Sequence, residues 1–207
     1  SSLNLAHIDA SDVVLRVVGA SSADGAVGYH SEQDCTVYAE VAAQDILGLG
    51  GQIFDNGKYL AVSAVLSHEV FETALNPYVN LWVDRGDGVV EDAREACDAV
   101  QGRTFPVRSL ADRKSVQISN YLLPSWFDAQ SKGPKFDRMG LCKRPFEVLP
   151  DGYHVIRKTG IEHSEDGPRA VRVLEAIGKP DIAERALKKR RPATLHGTLG
   201  RPTAVSR

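Results

Sequence analysis

The chain has 207 residues, 43% of them hydrophobic and 25% charged, with a formal net charge of -2. That is enough material for one buried core, and so balanced a charge excludes a wholly basic nucleic-acid binder. The longest apolar run, around residues 59 to 66, falls far short of the roughly 20 residues of a membrane-spanning helix, so no membrane contact is expected.

In chain order, Ser1 to Asp9 has neither a basic start nor an apolar run before a small-residue cleavage site, and no secretory signal is expected in it. Val13 to Val18 and Thr36 to Val41 are rich in β-branched residues and read as strands. Between them, Ala20 to Asp34 is rich in Ser, Gly and Asp and reads as a loop, in which Gly28-Tyr29-His30 is a tight turn followed by a potential ligand or base. A second loop, Gly48 to Gly51, lacks the lysine and the spacing of a phosphate-binding loop. Tyr59 to Leu75 favours a helix that Pro77 must stop, because proline lacks an amide donor and disfavours helical geometry in the residue before it. Ser115 to Leu123 and Tyr153 to Arg157 read as strands, the latter after the turn Asp151-Gly152.

Residues 167–177 and 181–190 read as helices broken at Gly178-Lys179-Pro180, and beyond Pro192 an extended tail is expected. After Glu184 there is no acidic residue, whereas Arg185, Lys188, Lys189, Arg190, Arg191, Arg201 and Arg207 are all basic. Strands and helices that segregate in this way predict an α+β fold. We expect a domain over residues 1–160, its central helix packed on a small mixed sheet, and a C-terminal arm over 161–207, helical to about residue 190 and then extended and basic. Cys35, Cys97 and Cys142 are widely spaced and odd in number, which argues against a disulfide framework and for a reducing compartment.

The chemistry concentrates in His68-Glu69-Val70-Phe71-Glu72. Successive helical residues turn by about 100°, so His68 and Glu72, four apart, share a face with Ala61, Ala64, Val65, Phe71 and Leu75. An ionised Glu on an otherwise apolar face is costly unless paired or bound to a metal, and an imidazole with a carboxylate one turn away is a good pair of zinc ligands. Glu69 points about 100° away from His68, which suits a general base more than a ligand. With a glutamate where a second histidine is common, a divalent cation other than Zn2+ also fits. A third protein ligand is expected from Glu95-Ala96-Cys97-Asp98, with Asp98 favoured and Glu95 beside it as orienting partner or alternative ligand; His30 is an outside candidate. Cys97 could serve as a soft metal ligand, but a small buried role is expected over it, and Trp82, Trp126, Phe127 and Phe146 are expected to serve packing. His7, His154, His163 and His196 have no spacing partner and receive no role.

Ser67-His68-Glu69-Val70-Phe71-Glu72, then Asn76-Pro77, Trp82 and Glu95-Ala96-Cys97-Asp98, resembles a zincin-like metallopeptidase family whose pattern reads Ser-His-Glu-x-x-Glu, Asp-Pro, Trp, and Glu-x-x-Asp. Gly28-Tyr29-His30, the run from Ser119 to Phe127, Pro145-Phe146 and Gly152-Tyr153 are similar to its tailed-bacteriophage branch, so the resemblance spans roughly residues 28 to 157. Asn76 departs from it, standing where the pattern has aspartate. The resemblance implies a virion-associated, zinc-dependent peptidase, made in the bacterial host cytoplasm, with a protein or peptide substrate. The other expectation is a structural virion protein whose metal site is idle or structural and whose C-terminal arm meets other virion proteins. Nucleic acid has a case only at the basic tail, since the domain shows no basic stripe with interleaved aromatics.

Overall fold

The computed structural model describes residues 13–23, 26–33, 36–54, 60–110, 112–158 and 161–166. The fold is mixed α+β, with small sheets and few helices. Strands β1 (Val13–Val18), β2 (Gly28–Gln33) and β3 (Thr36–Ala42) form a sheet of order β1-β3-β2, in which β1 runs parallel and β2 antiparallel to β3. A short helix α1 (Ala43–Gly48) leads towards the central helix α2 (Val62–Leu75). Strands β4 (Trp82–Asp84), β5 (Val90–Ala93), β8 (Tyr153–Lys158) and β9 (Ile161–Asp166) make a second, antiparallel sheet, and β6 (Thr104–Arg108) with β7 (Ser115–Ser119) makes a hairpin.

The expected strands at Val13–Val18 and Thr36–Val41 are present, and the helix begins at Val62 rather than Tyr59. The loop expected from Ala20 to Asp34 is strand from Gly28 to Gln33, and Gly28-Tyr29-His30 opens β2 instead of forming a tight turn. Ser31, Glu32 and Gln33 have little strand propensity of their own; the ladder to β3, His30 opposite Ala39 and Gln33 opposite Thr36, imposes the extended conformation. Gly28 fits because a Cβ there would lie 2.5 Å from Val65 Cγ1 and 2.7 Å from Glu69 Oε1, so only glycine lets β2 press against α2. The second sheet continues through β9 past residue 160, and the expected helices at 167–177 and 181–190 and the tail lie outside the described residues.

Helix α2 starts without a side-chain cap. Instead its first amides donate to backbone carbonyls of the preceding bridge, Val62 to Gln52 at 2.8 Å and Ser63 to Ile53 at 3.0 Å, which satisfies donors that every helix start leaves open. At the other end the Asn76 amide donates to the Glu72 carbonyl at 2.7 Å, and Pro77 prevents continuation. The helix packs on β2 and β3 and on β7. Ser67 ties it to β7, accepting the Ser119 amide at 2.8 Å while donating to the Ala64 carbonyl at 2.9 Å.

Two apolar clusters hold the fold. One gathers Val41, Ile46 and Val62, with Val65 and Leu66 packed against it; the other gathers Val100, Leu122, Trp126, Phe127, Phe136 and Leu149, with Leu75 and Phe146 against it. Trp126, Phe127 and Phe146 are therefore packing residues, whereas Trp82 is half-buried beneath the Arg157 guanidinium, 4.5 Å from its ring centroid. Because Val62, Val65 and Leu66 belong to one cluster and Leu75 to the other, the α2 segment His68–Glu72 lies between them. A polar group there is screened from water on both sides, which sets the electrostatics of the site. No helix among the described residues is long and apolar enough to cross a membrane.

Candidate metal centre

Helix α2 turns His68, Glu69 and Glu72 inward, β2 brings His30, and the segment between β5 and β6 brings Glu95, Cys97 and Asp98. The six residues singled out from sequence all converge. His68 Nε2 lies 3.1 Å from Glu72 Oε1 and 3.2 Å from Asp98 Oδ1. Across the helix, His30 Nδ1 lies 3.5 Å from Glu72 Oε2 and 3.7 Å from Glu69 Oε2, and its Nε2 lies 3.6 Å from Glu95 Oε2. Glu72 thus faces both imidazoles, one oxygen to each.

The backbone fixes this arrangement. Cys97 N donates to Glu72 Oε1 at 3.1 Å, so the third-ligand segment is anchored through the same carboxylate oxygen that faces His68. Leu122 donates to the Ala96 carbonyl at 2.7 Å and Leu149 to the Ala99 carbonyl at 2.8 Å, which pin that segment on both sides. Gly152 permits the second approach: a Cβ there would come within 2.6 Å of the Ala99 carbonyl carbon and 2.8 Å of the Asp98 carbonyl oxygen.

Asn76, the departure from the family pattern, is 1% exposed and fully employed. Its Nδ2 donates to Glu95 Oε1 at 3.0 Å, while its Oδ1 accepts the amides of Asn80 and Leu81, each at 3.0 Å. An ionised aspartate could keep the two amides but would set a second carboxylate against Glu95. The tight turn that follows holds Val79 at φ 51°, a conformation costing a β-branched residue on the order of 1–3 kcal/mol, and the Asn76 bonds help to offset it.

Burial and mutual charge shift every group in the cluster. Burial opposes a charge on His30, but Glu69, Glu72 and Glu95 outweigh it and push the imidazole up to about 11. The same contest raises His68 well above its ordinary value, with Glu72 the main opponent of burial. Glu72 would be raised by burial, yet His68 and His30 hold it well below the usual carboxylate range. Burial raises Glu69 against the pull of the two histidines. Burial and the Glu72 charge together raise Glu95 strongly and push Asp98 up to about 6, and burial pushes the Cys97 thiol up. The two raised imidazoles thus face a depressed Glu72 carboxyl as opposite charges, while burial works against charge on the other acids.

Two groups of donors could hold a metal ion, His68–Glu72–Cys97 and His30–Glu69–Glu72, the donor atoms within each group lying within 4.8 Å of one another. Donors on a tetrahedral zinc, with bonds near 2.0–2.1 Å, stand roughly 3.3 Å apart, so the 3.1 Å between His68 and Glu72 fits a shared ion. Glu69 Oε2, Glu95 Oε2 and His30 Nε2 are buried without a hydrogen-bond partner, as expected where the protein leaves valences for a cation or its ligands. Asp98 reaches the site through His68 and also bonds the Tyr153 side chain, whereas Cys97, read from sequence as a small buried residue, is both fully buried and a member of a donor group. A cysteine one residue from an expected ligand was the available signal for that second role. His154, given no role, bonds Asp92 at 2.6 Å in a separate buried cluster with Arg85.

The chain matches no protein-family model, no curated protein and no solved structure. Its function has to be argued from the site.

Proposed function

We propose that this chain is a metal-dependent hydrolase of peptide bonds, with His68 and Glu72 as ligands of a zinc or similar divalent cation and the third position supplied by the Cys97–Asp98 pair. The observation that carries this reading is one helical turn, in which two donors 3.1 Å apart are joined by a neighbouring carboxylate, Glu69, whose Oε2 has no hydrogen-bond partner. A cation held there would acidify water and draw electron density from a scissile carbonyl. Glu69 would take the proton from the attacking water and return it to the leaving nitrogen. The resemblance at Gly28-Tyr29-His30 and from Ser119 to Phe127 supports placing the protein in a tailed-phage virion, made in the host cytoplasm.

The test is Glu69→Gln, which is expected to keep the cation bound at His68 and Glu72 while peptide hydrolysis falls by at least about 100-fold, the scale of a lost general base. Undiminished hydrolysis removes Glu69 from the mechanism.

One observation favours a second reading, a structural virion protein with a non-catalytic metal site. His68, the most open of the six residues that ion pairs join here, has a side chain only 14% exposed, and structural zinc sites are closed where catalytic ones keep a position open. On that reading the C-terminal arm makes the contacts to other virion proteins, and deleting residues 185–207 abolishes incorporation into particles while the isolated domain stays folded. Normal incorporation of the truncated chain contradicts it.

A further inference from the structure

We propose that the cluster carries a second divalent-cation position, held by His30, Glu69 and Glu72 and sharing Glu72 with the first; this rests on reading His68 and Glu72 as cation ligands. Glu72 is the hinge of the argument. Its Oε1 lies 3.1 Å from His68 and its Oε2 lies 3.5 Å from His30, so each oxygen serves a different imidazole. That is the disposition of a carboxylate bridging two ions, which in paired sites sit about 3.5–4 Å apart.

A second, independent observation lies on the His30 side. Glu69 Oε2 is buried with no hydrogen-bond partner, on a side chain 5% exposed, and it is 3.7 Å from His30 Nδ1. A direct bond between them would be nearer 2.7–3.2 Å, so the two atoms face each other unbonded, close to the roughly 3.3 Å that separates donors on one tetrahedral ion. On the far edge of the ring, Glu95 Oε2 faces His30 Nε2 at 3.6 Å, both atoms unpartnered. A carboxylate on that edge of a metal-bound histidine, once drawn in by about 0.5 Å to hydrogen-bond distance, would fix the ring so that one nitrogen carries the proton and the other presents its lone pair to the ion. Asn76 holds Glu95 for that task through Oε1.

Charge points the same way. Glu69, Glu72, Glu95 and Asp98 are all buried. One divalent cation neutralises two of these four carboxylates, and a second neutralises the rest with both imidazoles neutral. A set of one imidazole and two carboxylates suits zinc, cobalt or manganese over soft cations.

Occupation of this position takes the Glu69 carboxylate as a ligand, and the same carboxylate cannot then accept a proton from water. Hydrolysis therefore rises with the first equivalent of cation and falls with the second, which makes the second position an inhibitory one.

Equilibrium dialysis of the chelator-treated full chain against Zn2+ tests the proposal without reference to activity. The expected result is two zinc per chain in the wild type, one in His30→Ala and one in Glu69→Gln, and none in the double variant His68→Ala/Glu72→Ala. Glu69→Gln is nearly isosteric and guards against a folding defect in His30→Ala. One zinc in the wild type overturns the second position and leaves the hydrolase reading standing; two zinc retained in both single variants overturns it as well. No zinc in the wild type overturns both readings.

Discussion

Asp92 on β5 and Glu72 on α2 are both buried carboxylates, 0% and 4% exposed, and the protein treats them in opposite ways. Asp92 is met by protein donors, with Arg85 Nη2 at 3.0 Å, Arg85 Nε at 2.5 Å and His154 Nδ1 at 2.6 Å. Asp137 is treated similarly, accepting Asn120 Nδ2 at 2.8 Å and the amides of Met139 and Cys142 at 2.9 and 2.6 Å. Around Glu72, by contrast, three further acids crowd two imidazoles, and Oε2 of Glu69 and Oε2 of Glu95 find no donor. Burying a charge is costly unless it is paired, so a carboxylate kept for structure comes with its partners. Acids left without partners are what a cation site would leave open.

The comparison predicts effects of different size and sign. Asp92→Ala leaves Arg85 and His154 without their anion, and because Arg85 is 26% exposed the loss should sit at the lower end of that for a broken buried pair, about 3 kcal/mol by chemical denaturation at neutral pH. A cost below about 1 kcal/mol would mean that the pairing is worth little. The pH dependence follows from the same contacts. Burial would raise Asp92, but His154 and Arg85 outweigh it and hold the carboxyl below its ordinary value. A carboxyl depressed in the folded state adds stability above its unfolded pKa, and that stability is lost as pH falls through the folded value. The difference between wild type and Asp92→Asn should therefore be constant at neutral pH and shrink below about pH 3.9.

In the metal cluster the expected effects are smaller. Asn76→Asp exchanges a donor to Glu95 for a repelling carboxylate and should cost about 2 kcal/mol in the presence of chelator. An unchanged melting temperature would show that Glu95 is not held by Asn76. Glu69→Gln puts a neutral near-isostere where burial already works against charge on the carboxyl, so under the same conditions it should cost under about 1 kcal/mol or stabilise the fold, unlike Asp92→Ala. A loss as large as that of Asp92→Ala would erase the distinction between the two regions.

Much of the site was legible in the sequence because a helix converts spacing into direction. His68 and Glu72 meet because they are four apart, and Glu95 and Asp98 join them because the chain returns after Pro77. His30, expected after a glycine turn, comes to the cluster from an edge strand instead. That context was hidden because β2 has weak strand propensity and takes its conformation from β3. Helix α1 and strands β4, β5, β6 and β9 were not foreseen, being short or polar; β4, β6 and β9 are held by antiparallel pairing to the strand next in sequence, and β5 also by β8. The role of Asn76 was equally invisible, since its three bonds reach Glu95, Asn80 and Leu81 only after the chain has folded.

The central claim is that the cluster on α2 holds a divalent cation. Elemental mass spectrometry of the purified protein, run beside the folded His68→Ala/Glu72→Ala variant, measures it directly. The account predicts zinc at one equivalent or more per chain, lost in the variant. No metal in either sample, with both chains folded, would contradict it and leave the buried acids balanced by protons alone.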